Sequence, residues 1–184
     1  MRAKECHNLA SMLGVVVCAR ARHAFSLSTS SHKQPHPSKW FYHPAACCVN
    51  PRRQEGPHAH CTLFVESGGS EFAYVVDLGL DRVFSYRLDP GAGKLTPTEP
   101  GFVKLPDGSG PRHLAIDKSS GRAYVCGELD STLNTLRWDR DRGFLEPSRI
   151  AAVSTLPDRT PEAVRKDNST AEVVVVGGRK PLRG

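Results

Sequence analysis

The sequence of 184 residues contains no long hydrophobic run. Its most apolar stretches, Leu9–Ala19 and Val173–Val176, are far shorter than the ~20 residues that a membrane-spanning helix needs. It also contains no G-x-G-x-x-G, G-x-S-x-G or phosphate-loop motif, the patterns of dinucleotide sites, serine hydrolases and nucleoside triphosphate sites. We therefore expect no membrane partner and no cofactor.

Acidic residues are nearly missing from the first third of the chain. Residues 1–60 carry eight Lys or Arg but only Glu5 and Glu55, so the formal net charge of +6 belongs to this segment. Residues 61–184 carry 17 residues of each sign. Nucleic-acid-binding proteins usually carry basic residues patterned on a folded face. The charge distribution therefore argues against a nucleic-acid partner.

None of the six cysteines stands in a spacing typical of a metal site. Cys47 and Cys48 are adjacent, and adjacent cysteines cannot clamp a zinc ion as a C-x-x-C pair does. Residues 61–184 contain only Cys61 and Cys126, too few for a disulfide framework. We expect no bound metal, and reduced thiols in a cytoplasmic protein.

Residues 1–52 have no pattern of a folded unit. Arg2 and Lys4 precede the apolar run, and a Ser/Thr cluster at Ser26–Ser31 follows it, an order found in targeting segments. Four prolines between Pro35 and Pro51 argue against a regular element there. We interpret residues 1–52 as a disordered leader, with a mitochondrial targeting segment as the alternative.

The rest of the chain, residues 53–184, repeats itself. Tyr74–Asp89 (YVVDLGLDRVFSYRLD) aligns with Tyr124–Asp139 (YVCGELDSTLNTLRWD) at an offset of 50 residues, and the same offset relates Gly93 to Gly143. A fixed period of this size is typical of repeat architectures. The repeat defines units at about 56–105 and 110–154, and a third unit begins at residue 171.

Each unit contains four apolar or alternating segments separated by Gly, Asp and Ser turns, which is the pattern of short strands. The predicted strands are Cys61–Glu66, Phe72–Val76, Val83–Leu88 and Phe102–Leu105, then His113–Asp117, Ala123–Cys126, Leu133–Trp138 and Arg149–Val153. Four strands in about 50 residues is the size of one β-propeller blade. We predict an all-β partial β-propeller of about two four-stranded blades and the start of a third, and expect the chain to be a fragment of a longer propeller.

Several ordered motifs within residues 53–176 carry a family resemblance. They are GPHAH (Gly56–His60), Tyr74–Asp89, LPDGSGPRHLAID (Leu105–Asp117), GELDST (Gly127–Thr132), STLPD (Ser154–Asp158) and NSTAEV (Asn168–Val173). In these the chain resembles the lactonase-type seven-bladed β-propellers, which include the bacterial propeller 6-phosphogluconolactonase and the fungal carboxy-cis,cis-muconate cyclase. The resemblance implies a cleft at the ring centre and hydrolysis of a sugar-acid lactone, most directly 6-phosphogluconolactone. The ending VVGGRKPLRG departs from the family pattern.

His60 is the first candidate catalytic residue. Strand alternation places His58 and His60 on one face and Cys61 on the other. An imidazole that titrates near neutral pH can take a proton from water attacking a lactone carbonyl. A partly buried, hydrogen-bonded histidine and a metal site with His58 and Cys61 are the alternatives.

Arg112 and Glu128 are sixteen residues apart, and a hairpin turning at residues 119–121 returns them to the same end of the sheet. A guanidinium group can bind a phosphate or carboxylate, or stabilise an oxyanion. Glu128 is then a general acid or base for ring opening, or it holds Arg112 in a salt bridge.

Glu172 matches the family's AE motif and is the fourth predicted catalytic residue, with an edge charge as the alternative. His113 follows Arg112, so alternation predicts that it points to the opposite face as a structural or rim residue. Asp77 and Asp81 are expected to form turns.

Three functions remain open from the sequence. The first is hydrolysis of a small anionic lactone, the partner that the resemblance implies. The second is the reverse type of step, a cycloisomerisation that closes a muconolactone. The third is a catalytically inactive propeller that serves as a binding module, because fold alone does not confer activity.

Overall fold

The computed structural model of the chain describes residues 15–16, 25–26 and 49–176. Most of the predicted leader, including Cys47 and Cys48, lies outside these residues. Two short strands of that segment, β1 (Val15–Val16) and β2 (Phe25–Ser26), pair antiparallel. No helix in the described part of the chain is long and apolar enough to cross a membrane.

The first blade is a four-stranded antiparallel sheet in which each strand pairs with the next along the chain. Its strands are β3 (Ala59–Ser67), β4 (Ser70–Asp77), β5 (Arg82–Asp89) and β6 (Lys94–Lys104), in that spatial order. The β3–β4 turn contains Gly68 and Gly69, both at positive φ (57° and 74°). Glycine adopts this conformation without the steric cost that a Cβ brings, so the sequence fixes a tight hairpin here.

The second blade has the same order but a divided outer strand. It consists of β7 (Pro111–Asp117), β8 (Arg122–Gly127), β9 (Thr132–Trp138), β10 (Leu145–Pro147) and β11 (Val153–Ser154). Both β10 and β11 pair with β9, one at each end. The single fourth strand predicted over residues 149–153 is therefore wrong, because the segment between β10 and β11 leaves the sheet.

Beyond the second blade the chain forms one short helix, α1 (Glu162–Asp167), which buries no residue. Residues 171–176 follow it and form no strand. The two blades confirm the all-β, propeller-type fold predicted from the sequence, while the predicted third unit stays a prediction.

The main apolar core lies between the two sheets. Phe72, Tyr74 and Val76 alternate along β4 and face the second blade, where Val125 and Trp138 belong to the same buried cluster. Full burial of a large apolar side chain stabilises a fold by about 1.5–3 kcal/mol. In addition, the Trp138 indole Nε1 donates a hydrogen bond to the Tyr74 hydroxyl at 2.7 Å. Buried apolar packing and a buried hydrogen bond thus join one blade to the other.

Two buried aspartates organise the loops at one end of the first blade. The Asp77 carboxylate accepts backbone hydrogen bonds from His58 and Leu80 (2.9 and 3.0 Å). The Asp81 carboxylate accepts from Gly108 and Gly110 (2.7 and 2.8 Å), and so ties the first blade to the loop that enters β7. Both aspartates form turns, as predicted. Burial raises the pKa of both carboxyl groups, against the opposing effect of these hydrogen bonds.

Candidate active site

The first strand of each blade, β3 or β7, contains a β-bulge near its beginning. In β3, Ala59 pairs with Asp77 and Cys61 pairs with Val76, which leaves His60 as the extra residue. In β7, Pro111 pairs with Gly127 and His113 with Cys126, which leaves Arg112 as the extra residue. A bulge bends its strand and changes the direction of its side chains. Because β3 and β7 contact each other, the bulges bring His60 and Arg112 into one cluster.

Glu128 lies at the centre of this cluster and is only 7% exposed. Its Oε1 accepts a hydrogen bond from Arg53 Nη2, and its Oε2 lies 3.0 Å from Arg112 Nε. Its backbone N donates to Gly110 O at 2.8 Å, which fixes the end of β8 beside the start of β7. The hairpin therefore returns Arg112 and Glu128 to the same end of the sheet, as predicted. The carboxylate sits between two guanidinium groups, and this compensates its burial.

His60 approaches the same carboxylate from the first blade. Its Nε2 lies 3.9 Å from Glu128 Oε2, and its Nδ1 is buried and has no hydrogen-bond partner among the described residues. Burial first, and the positive charge of Arg112 second, lower the pKa of His60, although Glu128 opposes this. A histidine with a lowered pKa is neutral near pH 7 and can accept a proton. The position of His60 thus suits a general base.

His113 belongs to the cluster as well, so the prediction that it points away from Arg112 is wrong. Its ring meets the His60 ring edge-to-face, with 5.4 Å between the centroids. Its Nδ1 lies 2.7 Å from Glu172 Oε1. The bulge at Arg112 explains the error, because an extra residue interrupts the strict alternation on which the prediction depended.

Glu172 reaches the site from the segment that follows α1. It contacts His113 directly, and the neighbouring Ala171 carbonyl accepts a hydrogen bond from Arg112 Nη1. Glu172 Oε1 also accepts from the backbone N of Val173 at 3.0 Å. Two side chains of β7 therefore bind two consecutive residues of this segment, which becomes one wall of the site.

The structure brings His60, Arg112 and Glu128 together and attaches Glu172 through His113. Sequence reasoning missed Arg53, which is 75 residues from Glu128 along the chain. The only signal for Arg53 was its position three residues before the GPHAH motif. Whether the four predicted residues act in catalysis remains a prediction at this point.

The described residues contain no group of three or more His, Cys, Asp or Glu side chains that could hold a metal ion. In particular, the side chains of the alternative metal site, His58, His60 and Cys61, do not converge on one point. His58 Nε2 lies 2.8 Å from Glu55 Oε1 at the surface, while Cys61 belongs to the buried core.

The charges around the site suit an anionic ligand. The Arg112 side chain is 26% exposed and that of Arg53 is 48% exposed, so both retain surface for a further contact. Guanidinium groups bind carboxylates and phosphates with paired hydrogen bonds. The site thus combines one partly exposed and one exposed cation with a neutral imidazole.

Comparison with known proteins identifies a family for the chain. A family model described as "Lactonase, 7-bladed beta-propeller" matches residues 22–180. The match begins inside residues 1–52, which were interpreted as a leader. The chain is 35% identical over 106 residues to a 6-phosphogluconolactonase of Bacillus subtilis, covering 58% of this chain and 28% of that protein. It is 36% identical over 85 residues to a 6-phosphogluconolactonase of Erwinia tasmaniensis, covering 46% of this chain and 24% of that protein.

Among solved structures, the Pseudomonas aeruginosa periplasmic gluconolactonase PpgL is similar, with a TM-score of 0.53 and 32% identity. The likeness covers 63% of this chain and 31% of that one. The matched part thus spans about a quarter to a third of each of these relatives.

Proposed function

The chain belongs to the lactonase family of seven-bladed β-propellers, and we propose that it hydrolyses a sugar-acid lactone, with 6-phosphogluconolactone as substrate and 6-phosphogluconate as product. One observation carries the proposal: His60 of the first blade lies beside the Arg112–Glu128 pair of the second. Two relatives named 6-phosphogluconolactonase support the choice of substrate.

The proposed first step is attack of water on the lactone carbonyl. The water oxygen forms a bond to the carbonyl carbon, and one water proton passes to the neutral imidazole of His60. The carbonyl oxygen becomes an oxyanion, which the Arg112 guanidinium stabilises by charge and hydrogen bonding. In the second step the bond between the carbonyl carbon and the ring oxygen breaks, and the ring oxygen takes a proton to become a hydroxyl group.

Glu128 has a positioning role in this proposal. Both of its oxygens face a guanidinium group, Arg53 on one side and Arg112 on the other. This arrangement orients Arg112 toward the site and favours the holding role over that of a general acid. Arg53 and Arg112 together favour a substrate that carries a phosphate or carboxylate.

The proposal includes a cytoplasmic location. Cys61 and Cys126 form no disulfide in the described residues, and both are buried. Reduced cysteines are the rule in the cytoplasm.

The experiment compares the rate of 6-phosphogluconolactone hydrolysis by the purified chain with the spontaneous rate. We expect acceleration by the wild type and a loss of about 100-fold or more in kcat for His60→Ala, the size of a general-base contribution. Arg112→Ala is expected to lose a similar factor. Glu66→Ala is a matched control, because it removes an exposed charge from the same strand as His60. A wild-type rate equal to the spontaneous rate, or unchanged rates in both variants, would refute the proposal and favour the binding module.

A further inference from the structure

The contact between His113 and Glu172 has no role in the two steps described above, yet it lies inside the site. His113 is 7% exposed, and its Nδ1 is 2.7 Å from a Glu172 oxygen. A carboxylate oxygen can only accept here, so Nδ1 carries a proton. In the neutral ring the lone pair is then on Nε2, and Nε2 is the atom that can exchange a proton with a ligand.

The proposed reaction needs a proton donor for the ring oxygen, and the other groups of the site are poorly suited to it. The Glu128 oxygens already face two guanidinium groups, one from Arg53 and one from Arg112. His60 receives the proton of the attacking water in the first step. Arginine keeps its proton at all ordinary pH values. In the part of the chain that the structure describes, His113 remains as a titratable side chain in contact with His60.

We propose that His113 donates the proton to the ring oxygen as the lactone opens, and that Glu172 is the positioning residue that orients the ring and balances its charge. This inference rests on the proposed function. The carbon–oxygen bond of the ring breaks, its electron pair goes to the ring oxygen, and the proton on Nε2 of the His113 imidazolium moves to that oxygen. His113 is left neutral with its remaining proton on Nδ1, and His60 returns its proton to solvent as His113 regains one.

The surroundings of His113 place one carboxylate directly against its ring. Glu172 supplies the compensating negative charge, as the third member of a catalytic triad does. The titratable and charged groups near the ring come from several elements: His60 on β3, Arg112 on β7, Cys126 on β8, Glu128 after β8 and Glu172 after α1. Arg112, and His60 once it has taken the proton of the attacking water, oppose a positive charge on His113, and Glu172 supplies the compensating charge.

The test uses kinetics of the whole chain with 6-phosphogluconolactone. His113→Gln is expected to lose about 100-fold or more in kcat with little change in KM. Glu172→Gln is expected to lower kcat by a factor that approaches about 10⁴, because the amide carries no charge and its NH2 group can hold the neutral His113 ring in the wrong tautomer. In the Glu172→Gln variant, the alkaline limb of the pH profile of kcat should move to lower pH. The reason is that an imidazolium group loses its proton more easily when no carboxylate lies beside it. Glu162→Gln in α1, with a side chain that is 72% exposed, is the matched control.

A second measurement does not depend on activity. Long-range proton–nitrogen NMR of the histidine rings reports which nitrogen carries the proton. We expect neutral His113 of the wild type to be protonated on Nδ1, and Glu172→Ala to shift the proton toward Nε2. A neutral wild-type ring protonated on Nε2 would overturn the inference. So would an active wild type whose His113→Gln and Glu172→Gln variants keep full kcat, whereas a wild type without any lactonase rate refutes the proposed function itself.

Discussion

Replacing Tyr74 with Phe would weaken the packing of the two blades, on which the geometry of the site depends. Tyr74 is fully buried, and its hydroxyl accepts the hydrogen bond from Trp138 Nε1 at 2.7 Å. Phenylalanine retains the ring contacts and removes only the oxygen. The buried indole N–H would then have no acceptor, which costs about 1–3 kcal/mol. We therefore expect the free energy of unfolding to fall by about 2 kcal/mol.

Urea unfolding followed by far-UV circular dichroism measures this change. In thermal unfolding, the same loss should lower Tm by about 4–8 °C for a chain of this size, at about 2–4 °C per kcal/mol. Tyr124→Phe is the matched control, because no hydrogen bond of its hydroxyl occurs among the described residues. We expect that variant to change stability by less than about 0.5 kcal/mol. An equal effect of the two substitutions would refute the reasoning.

Three further predictions address the fold and its titration. Gly143→Ala should destabilise the chain by about 2–4 kcal/mol, as measured by urea unfolding. The φ angle of Gly143 is +70°, and an added Cβ would lie 1.9 Å from the Phe72 ring. A loss below about 1 kcal/mol would contradict this prediction. Carbon NMR should find a pKa of about 2 for Asp117, which hydrogen bonds from Ser119 and its neighbour hold down, and Ser119→Ala should raise it; an unchanged value would contradict the assignment. The pKa of His60 is lower in the folded chain than its ordinary value of about 6.5. The neutral ring therefore contributes stability above about pH 6.5, and this contribution is lost as the pH falls through the lowered pKa of the folded chain. His60→Gln should therefore lose less unfolding free energy between pH 7 and pH 5 than the wild type, and equal losses would argue against this shift.

Local patterns predicted most of the strands. The alternation in Tyr74–Asp89 and in its copy fifty residues later predicted β4, β5, β8 and β9. It did so because apolar side chains of both segments belong to the same buried cluster. The outer strand of the second blade was misplaced because β10 and β11 are only three and two residues long. Strands of that length leave too few alternating positions for a pattern to locate them.

The site was predictable only in part. His60, Arg112 and Glu128 stand in motifs that resemble a family, and a hairpin argument links the last two. His113 was misjudged because a bulge depends on pairing with the neighbouring strand, which no single segment reveals. The Arg53–Glu128 contact joins a residue in the turn before the first blade to one 75 positions later, and only the folded chain brings the two together.

A double-mutant cycle between His60 and Arg112, read in kcat for 6-phosphogluconolactone, tests most directly that both blades contribute to one lactonase site. Each alanine substitution alone should lower kcat by about 100-fold or more. If the two residues act in the same step, the double variant should lose much less than the product of the two single losses. Losses that multiply, or a wild-type rate no higher than spontaneous hydrolysis, would contradict the account.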